Sequence, residues 1–278
     1  LPGVRATVTV SDSLGTANGS GAAGFGLEVT PYLNASIANA RTQGSLSYAM
    51  RNFYAHTSDS SDFFVRHDLR ASLNSLLIGD WFGVQSSAAI YNTNATIAGG
   101  LSADPGASLN NNAVLRTFSV APYIQGRVGS FATYRTQYRY EQSDTSGNVA
   151  AALARASHTV SLNVASGPQF NPWGWGFNSS GSHREYANNR TLSNASAVAT
   201  LYYAPSAELR LGASVNYLYL EGLTNSDGQS NGWGPGLSVD WTPSRRTTVR
   251  GSITRQYYGT SGFLSLAHRT NRFVFGLN

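Results

Sequence analysis

The chain has 278 residues, of which 41% are hydrophobic and only 12% charged, with 29 Gly and a formal net charge of +5. A soluble domain carries about twice that share of charge, and no apolar run reaches the ~18 residues that a membrane-spanning helix needs. Cys is absent and all 19 basic residues are Arg, which removes disulfide frameworks, thiolate metal sites and covalent haem attachment.

What the sequence does contain is alternation. From Tyr134 to Glu141 it places Tyr134, Thr136, Tyr138 and Tyr140 on one surface of a strand and Arg135, Gln137, Arg139 and Glu141 on the other. Alternation and turn residues predict strands at 4–10, 25–37, 43–56, 64–77, 81–93, 113–128, 131–143, 156–166, 173–187, 193–204, 208–221, 231–241, 246–258 and 263–269, with a fragment at 272–278. The first of these begins alternating at once and no cleavable signal peptide precedes it, so the sequence reads as a mature or trimmed chain.

The connections alternate in length. Short ones fall at 38–41, 79–80, 129–130, 167–172, 204–207 and 242–245, and long ones at 11–24, 57–63, 94–112, 144–155, 188–192 and 222–230. Tight turns on one rim and longer loops on the other are the signature of an outer-membrane barrel. Aromatic residues follow both rims, where Trp and Tyr favour the membrane-water boundary. Trp81, Phe131, Trp173, Trp175, Trp241 and Phe273 lie near short turns, and Tyr54, Tyr91, Tyr140, Tyr219 and Tyr257 near long loops. The predicted fold class is all-β, an antiparallel up-and-down transmembrane β-barrel of about fourteen strands forming a single domain in the bacterial outer membrane.

Cost decides which parity faces lipid, because an Arg aimed at the bilayer midplane loses ~2–4 kcal/mol. Arg51 is therefore inward, opposed by Leu46, Tyr48 and Met50; Arg66 and Arg70 are inward with Asp68, opposed by Leu69, Ala71 and Leu73. Arg127, Arg135, Arg139 and Arg184 join them, as do Arg210, opposed by Leu209, Leu211, Val215 and Tyr217, and Arg250, opposed by Val249 and Ile253. With Arg5 added, the inward Arg residues outnumber the inward acids, chiefly Glu28, Asp68, Glu141 and Asp240. Such a lumen attracts anions. The bland alternative is that these Arg residues are ordinary water-compatible lining, tied to neighbouring carboxylates.

Other inward positions are small, among them Ser45, Ser47, Ser72, Ser161, Gly212, Ser214 and Ser238. A barrel of this size is too wide for them to plug, so water, a folded-in loop or another protein fills it. The 94–112 segment is either such a constriction or a solvated surface loop. Catalysis finds little support. His67 and Asp68 are adjacent in a strand and point to opposite faces, His183 and Glu185 share a parity at a rim, and no Gly-x-Ser-x-Gly motif is present. No catalytic residue, cofactor or metal is expected, the last because His and carboxylates do not cluster.

Three segments carry a family resemblance. Phe25 to Pro31 reads Phe-Gly-Leu-Glu-Val-Thr-Pro, Tyr48 to Asp62 puts a Tyr ahead of an Asp/Ser-rich hairpin with His67 beyond it, and Leu264 to Arg272 reads Leu-Ser-Leu-Ala-His-Arg-Thr-Asn-Arg. These resemble the outer-membrane β-barrel family associated with PEP-CTERM/exopolysaccharide systems, with departures at Ala267, where the family prefers Ser, and Asn271, where it prefers Arg. Members of that family continue into further strands, so the resemblance implies that this chain is part of a longer barrel.

The sequence thus points to a porin-like channel with an Arg-lined lumen that passes anionic or polyhydroxylated solutes, which the resemblance links to exopolysaccharide export. The alternative is a structural barrel that sheathes or docks another envelope protein without conducting. The expected partners are outer-membrane lipid, lipopolysaccharide and envelope or polysaccharide-export proteins; no nucleic acid is expected, and homo-oligomerisation stays open.

Overall fold

The computed structural model describes residues 1–16, 19–58, 61–94, 112–146, 154–186, 189–222, 231–256, 258–269 and 274–277. In chain order the strands are β1 (Pro2–Thr16), β2 (Gly19–Ala38), β3 (Thr42–Thr57), β4 (Ser61–Ile78), β5 (Phe82–Asn94), β6 (Asn112–Val128), β7 (Ala132–Ser146) and β8 (Ala154–Ser166). They continue as β9 (Trp173–Tyr186), β10 (Thr191–Tyr203), β11 (Leu209–Glu221), β12 (Asn231–Ser244), β13 (Thr247–Gln256), β14 (Gly259–Arg269) and the short β15 (Val274–Leu277). All belong to one antiparallel sheet in which every strand pairs with its sequence neighbours. This is the up-and-down topology of a transmembrane β-barrel. Among the described residues no ladder joins β1 to β14 or β15.

The sheet is curved, and its side chains show which way. Tyr123 on β6 donates to Asn74 Oδ1 on β4 at 3.1 Å, and Gln137 on β7 donates to Gln85 Oε1 on β5 at 2.9 Å. Both bonds pass over an intervening strand, which side chains of this length manage where next-nearest strands converge on a concave face. Burial divides the same way. Phe53, Ala55 and Tyr123, on that face, are 2%, 0% and 3% exposed, whereas Val160, Leu237 and Trp233, on the opposite face, are 55%, 63% and 69% exposed. A surface that leaves its Val, Leu and Trp uncovered suits acyl chains.

Short turns explain the near rim. Ile78 to Phe82 and Val128 to Ala132 are joined by Gly79-Asp80-Trp81 and Gly129-Ser130-Phe131, with both glycines at φ 51°. That left-handed conformation is open to Gly without a Cβ penalty, and each turn delivers an aromatic ring to the rim. Phe131 packs with Phe170 and Trp175 at centroid distances of 5.3 and 5.7 Å. Phe170 comes from a single 3-10 turn, Pro168–Phe170, within the β8–β9 connection.

Two predicted loops are instead strand. The expected 11–24 loop is largely a continuation of β1 and β2, paired from Ser11↔Gly24 to Thr16↔Gly19 with register shifts on the way. The expected 57–63 loop likewise shrinks, since His56 pairs with Ser61. Loss of apolar alternation does not end a strand while its backbone groups still find partners across the hairpin. Tyr91 is also corrected: it lies opposite Leu115, on the face that carries Ser87 and Ser119, so it is not part of an outward girdle. The loop interior at 95–111, Tyr257 and Phe273 fall outside the described residues.

Candidate lumen face

Cross-strand pairing traces the concave face around the sheet, because directly opposed residues share a side. Arg51 faces Arg66 across β3 and β4, and Arg70 faces Ser47. Ser72 leads to Ser87, and Ser87 to Ser119 on β6, the strand that bears Arg127 opposite Thr133. Arg135 stands between Gln125 and Asn163, Arg139 faces Thr159, and Arg184 lies between Ser157 and Leu192. Arg210 faces Asp240, which faces Arg250. All nine guanidinium groups therefore occupy one continuous face, the concave one.

They are not equivalent. Arg51 Nε meets Asp68 at 3.0 Å and Arg250 Nε meets Asp240 at 3.2 Å, both in exposed settings where an ion pair contributes little, about 0–1 kcal/mol. Arg135 is clamped, donating to Gln125 Oε1 at 3.3 Å with its guanidinium 4.1 Å from the Tyr123 ring centroid. Arg210 lies over Tyr202 at 4.8 Å. For Arg70, Arg127, Arg139 and Arg184 no ion pair exists among the described residues.

Arg66 is the anomaly. Its guanidinium sits 5.1 Å from the Phe64 ring, in the apolar cluster of Phe64, Phe53 and Ala55, and its Nε and Nη2 are buried with no hydrogen-bond partner among the described residues. An unmet buried donor costs about 1–3 kcal/mol, more when charged. Directly opposite stands a second cation, Arg51. Asp68 and Glu28 are the acids whose fields reach it.

Hydroxyl groups fill much of the remaining wall. Ser36, Ser45, Ser72, Ser87 and Ser119 form one cross-strand row over β2 to β6. Within it Ser45 and Ser72 are hydrogen bonded at 3.0 Å, and Ser87 and Ser119 at 2.8 Å. This ladder was invisible in the single sequence, because register between strands cannot be read from spacing within them. The inward Tyr123, by contrast, shares parity with Arg127 on its own strand, and alternation alone could have found it.

All five His residues lie on the convex face. Each uses Nδ1 to bond a hydroxyl on the neighbouring strand: His67 with Tyr48, His56 with Ser61, His158 with Tyr138, His183 with Ser193 and His268 with Thr247, at 2.7 to 2.9 Å. His67 and Asp68 thus point apart, and His183 meets Glu185 only at 3.9 Å on the outward side. No group of three His, Cys, Asp or Glu suited to a metal occurs among the described residues.

No family model and no curated protein matches this chain. Among solved structures it is similar to Salmonella typhi OmpF in complex with daunomycin, at 9% identity and a TM-score of 0.34, covering 91% of this chain and 88% of that one. It is also similar to a Pseudomonas aeruginosa FadL homologue, at 9% identity and a TM-score of 0.36, covering 97% of this chain and 82% of that one.

Proposed function

We propose that this protein is an outer-membrane channel whose concave face lines a wet pore selective for anionic or polyhydroxylated solutes. The observation that carries the reading is the charge on that face. Arg5, Arg269 and the nine residues above share it with Glu28, Asp62, Asp68, Glu141 and Asp240, and two of those acids are each engaged by an Arg. Low-dielectric walls focus such an excess of cation and raise the local density of anions.

No chemistry on the solute is required. The field draws an anion in, and Arg, Asn, Gln, Ser and Tyr groups replace part of its hydration as it diffuses through. A wall of Ser ladders and small residues leaves width for water and for sugars. The resemblance to the exopolysaccharide-associated family extends the solute class to acidic polysaccharide in export.

Reconstitution in planar bilayers tests this. In a salt gradient the reversal potential is expected to report chloride passing more readily than potassium. Absence of conductance, or a cation preference, would overturn it.

A further inference from the structure

Toward the short-turn rim, one stretch of the concave face differs from the rest of the wall. Gln125, Arg135, Asn163 and Asn178 are successive cross-strand partners on β6, β7, β8 and β9, so four planar polar groups stand side by side. One row nearer the rim the partners are Arg127, Thr133, Ala165 and Gly176, and the last two have almost no side chain. The result is a depression of about 760 Å³ that also reaches Tyr202 on β10 and, at its rim end, Asp80 of the β4–β5 turn. A Cβ on Gly176 would find only one atom within 4 Å, Val164 O at 3.7 Å, so its floor is open.

The hydrogen-bonding capacity of this depression is largely unused. The Asn163 and Asn178 amides and the Arg127 guanidinium have no partner among the described residues. Arg135 uses one N–H on Gln125 and lies over the Tyr123 ring, which restrains its guanidinium while leaving further donors free. A guanidinium fork recognises a carboxylate by two parallel bonds. Neighbouring amides, each both donor and acceptor, match vicinal hydroxyls.

We infer that this depression is a subsite for a sugar acid, a polyhydroxylated solute bearing a carboxylate, with Arg135 and Arg127 taking the carboxylate and Asn163 and Asn178 the hydroxyls. The inference rests on the channel reading and narrows it from a field to a place. Charge alone would bind acetate as well as glucuronate, and hydroxyl matching alone would bind glucose as well. A site with both sets should prefer the solute with both.

The test is equilibrium binding of D-glucuronate, D-glucose and acetate to the full chain in detergent micelles, by calorimetry or saturation-transfer NMR, so that it does not depend on conduction. Glucuronate is expected to bind about tenfold more tightly than either fragment. Arg135→Gln should lower that preference about tenfold, and Gly176→Leu, which fills the floor without touching a charge, should abolish it. Circular dichroism confirms that each variant keeps its strand content, and should one variant not fold, the other still decides. Glucuronate binding no tighter than acetate, or unaffected by the folded variants, would overturn the subsite. A protein that passes chloride but fails this assay leaves the channel reading standing; one that passes it without conducting retains the subsite and loses the channel.

Discussion

Two stretches of the same concave wall use similar small polar residues to opposite ends. Across β3 to β7 the side chains satisfy one another: Ser45 with Ser72 at 3.0 Å, Ser87 with Ser119 at 2.8 Å, and the longer Asn74 and Gln85 with Tyr123 and Gln137. Across β8 and β9 the paired Asn163 and Asn178 leave their amides unmatched among the described residues. A wall that is internally bonded holds its strands in register and offers a passing solute little. A wall with idle donors and acceptors, backed by guanidinium groups, offers it a great deal.

The sharpest way to break the contrast between the two faces is to move charge across it. Val160, midway along β8 on the convex face, is replaced by Arg; the expected loss is about 2–4 kcal/mol of stability in bilayers, read by urea unfolding in vesicles. Ser161→Arg, one residue on, should cost far less, because that side chain enters the wet side. Equal penalties would mean that the faces are not distinct.

A second substitution separates structure from field. Arg66 leaves Nε and Nη2 buried and unmatched among the described residues, so Arg66→Met is expected to raise stability by about 1–3 kcal/mol in the same assay. It should also weaken anion preference in the bilayer recording, as the cost of keeping a cation among Phe64 and Phe53 is then functional. A destabilised Met variant would show that the guanidinium has a partner after all.

Smaller effects follow from the pairs. Asp68→Asn removes the carboxylate from Arg51 in an exposed setting, with a loss of at most about 1 kcal/mol. Selectivity is expected to move further toward anions, which the reversal potential reads. Ser45→Ala breaks one rung of the ladder, and its expected cost is about 0.5–1 kcal/mol.

Much of this architecture is legible in the sequence because the strand period is local. Arg135 and Arg139 against Tyr134 and Tyr138, or Arg210 against Leu209 and Leu211, assign their faces within a few residues. What alternation cannot supply is lateral register. The Ser36 to Ser119 ladder and the Gln125 to Asn178 row join residues far apart in sequence, and only pairing reveals them. Strand ends were hidden for another reason. Ser11, Gly24 and their neighbours lack apolar alternation, yet their backbones remain paired, since an unmatched N–H or C=O is costlier than an unpatterned side chain.

The most direct test of the two-faced wall exploits the absence of Cys. Single Cys residues placed in turn at Thr159, Val160, Ser161, Leu162 and Asn163, in the chain reconstituted in bilayers, are challenged with a membrane-impermeant thiol reagent. Reaction should alternate, fast at 159, 161 and 163 and slow at 160 and 162, and only fluorophores at 160 and 162 should be quenched by nitroxide lipids. Fast reaction at 160 and 162 with quenching at the Ser and Asn positions, or no alternation at all, would contradict the account.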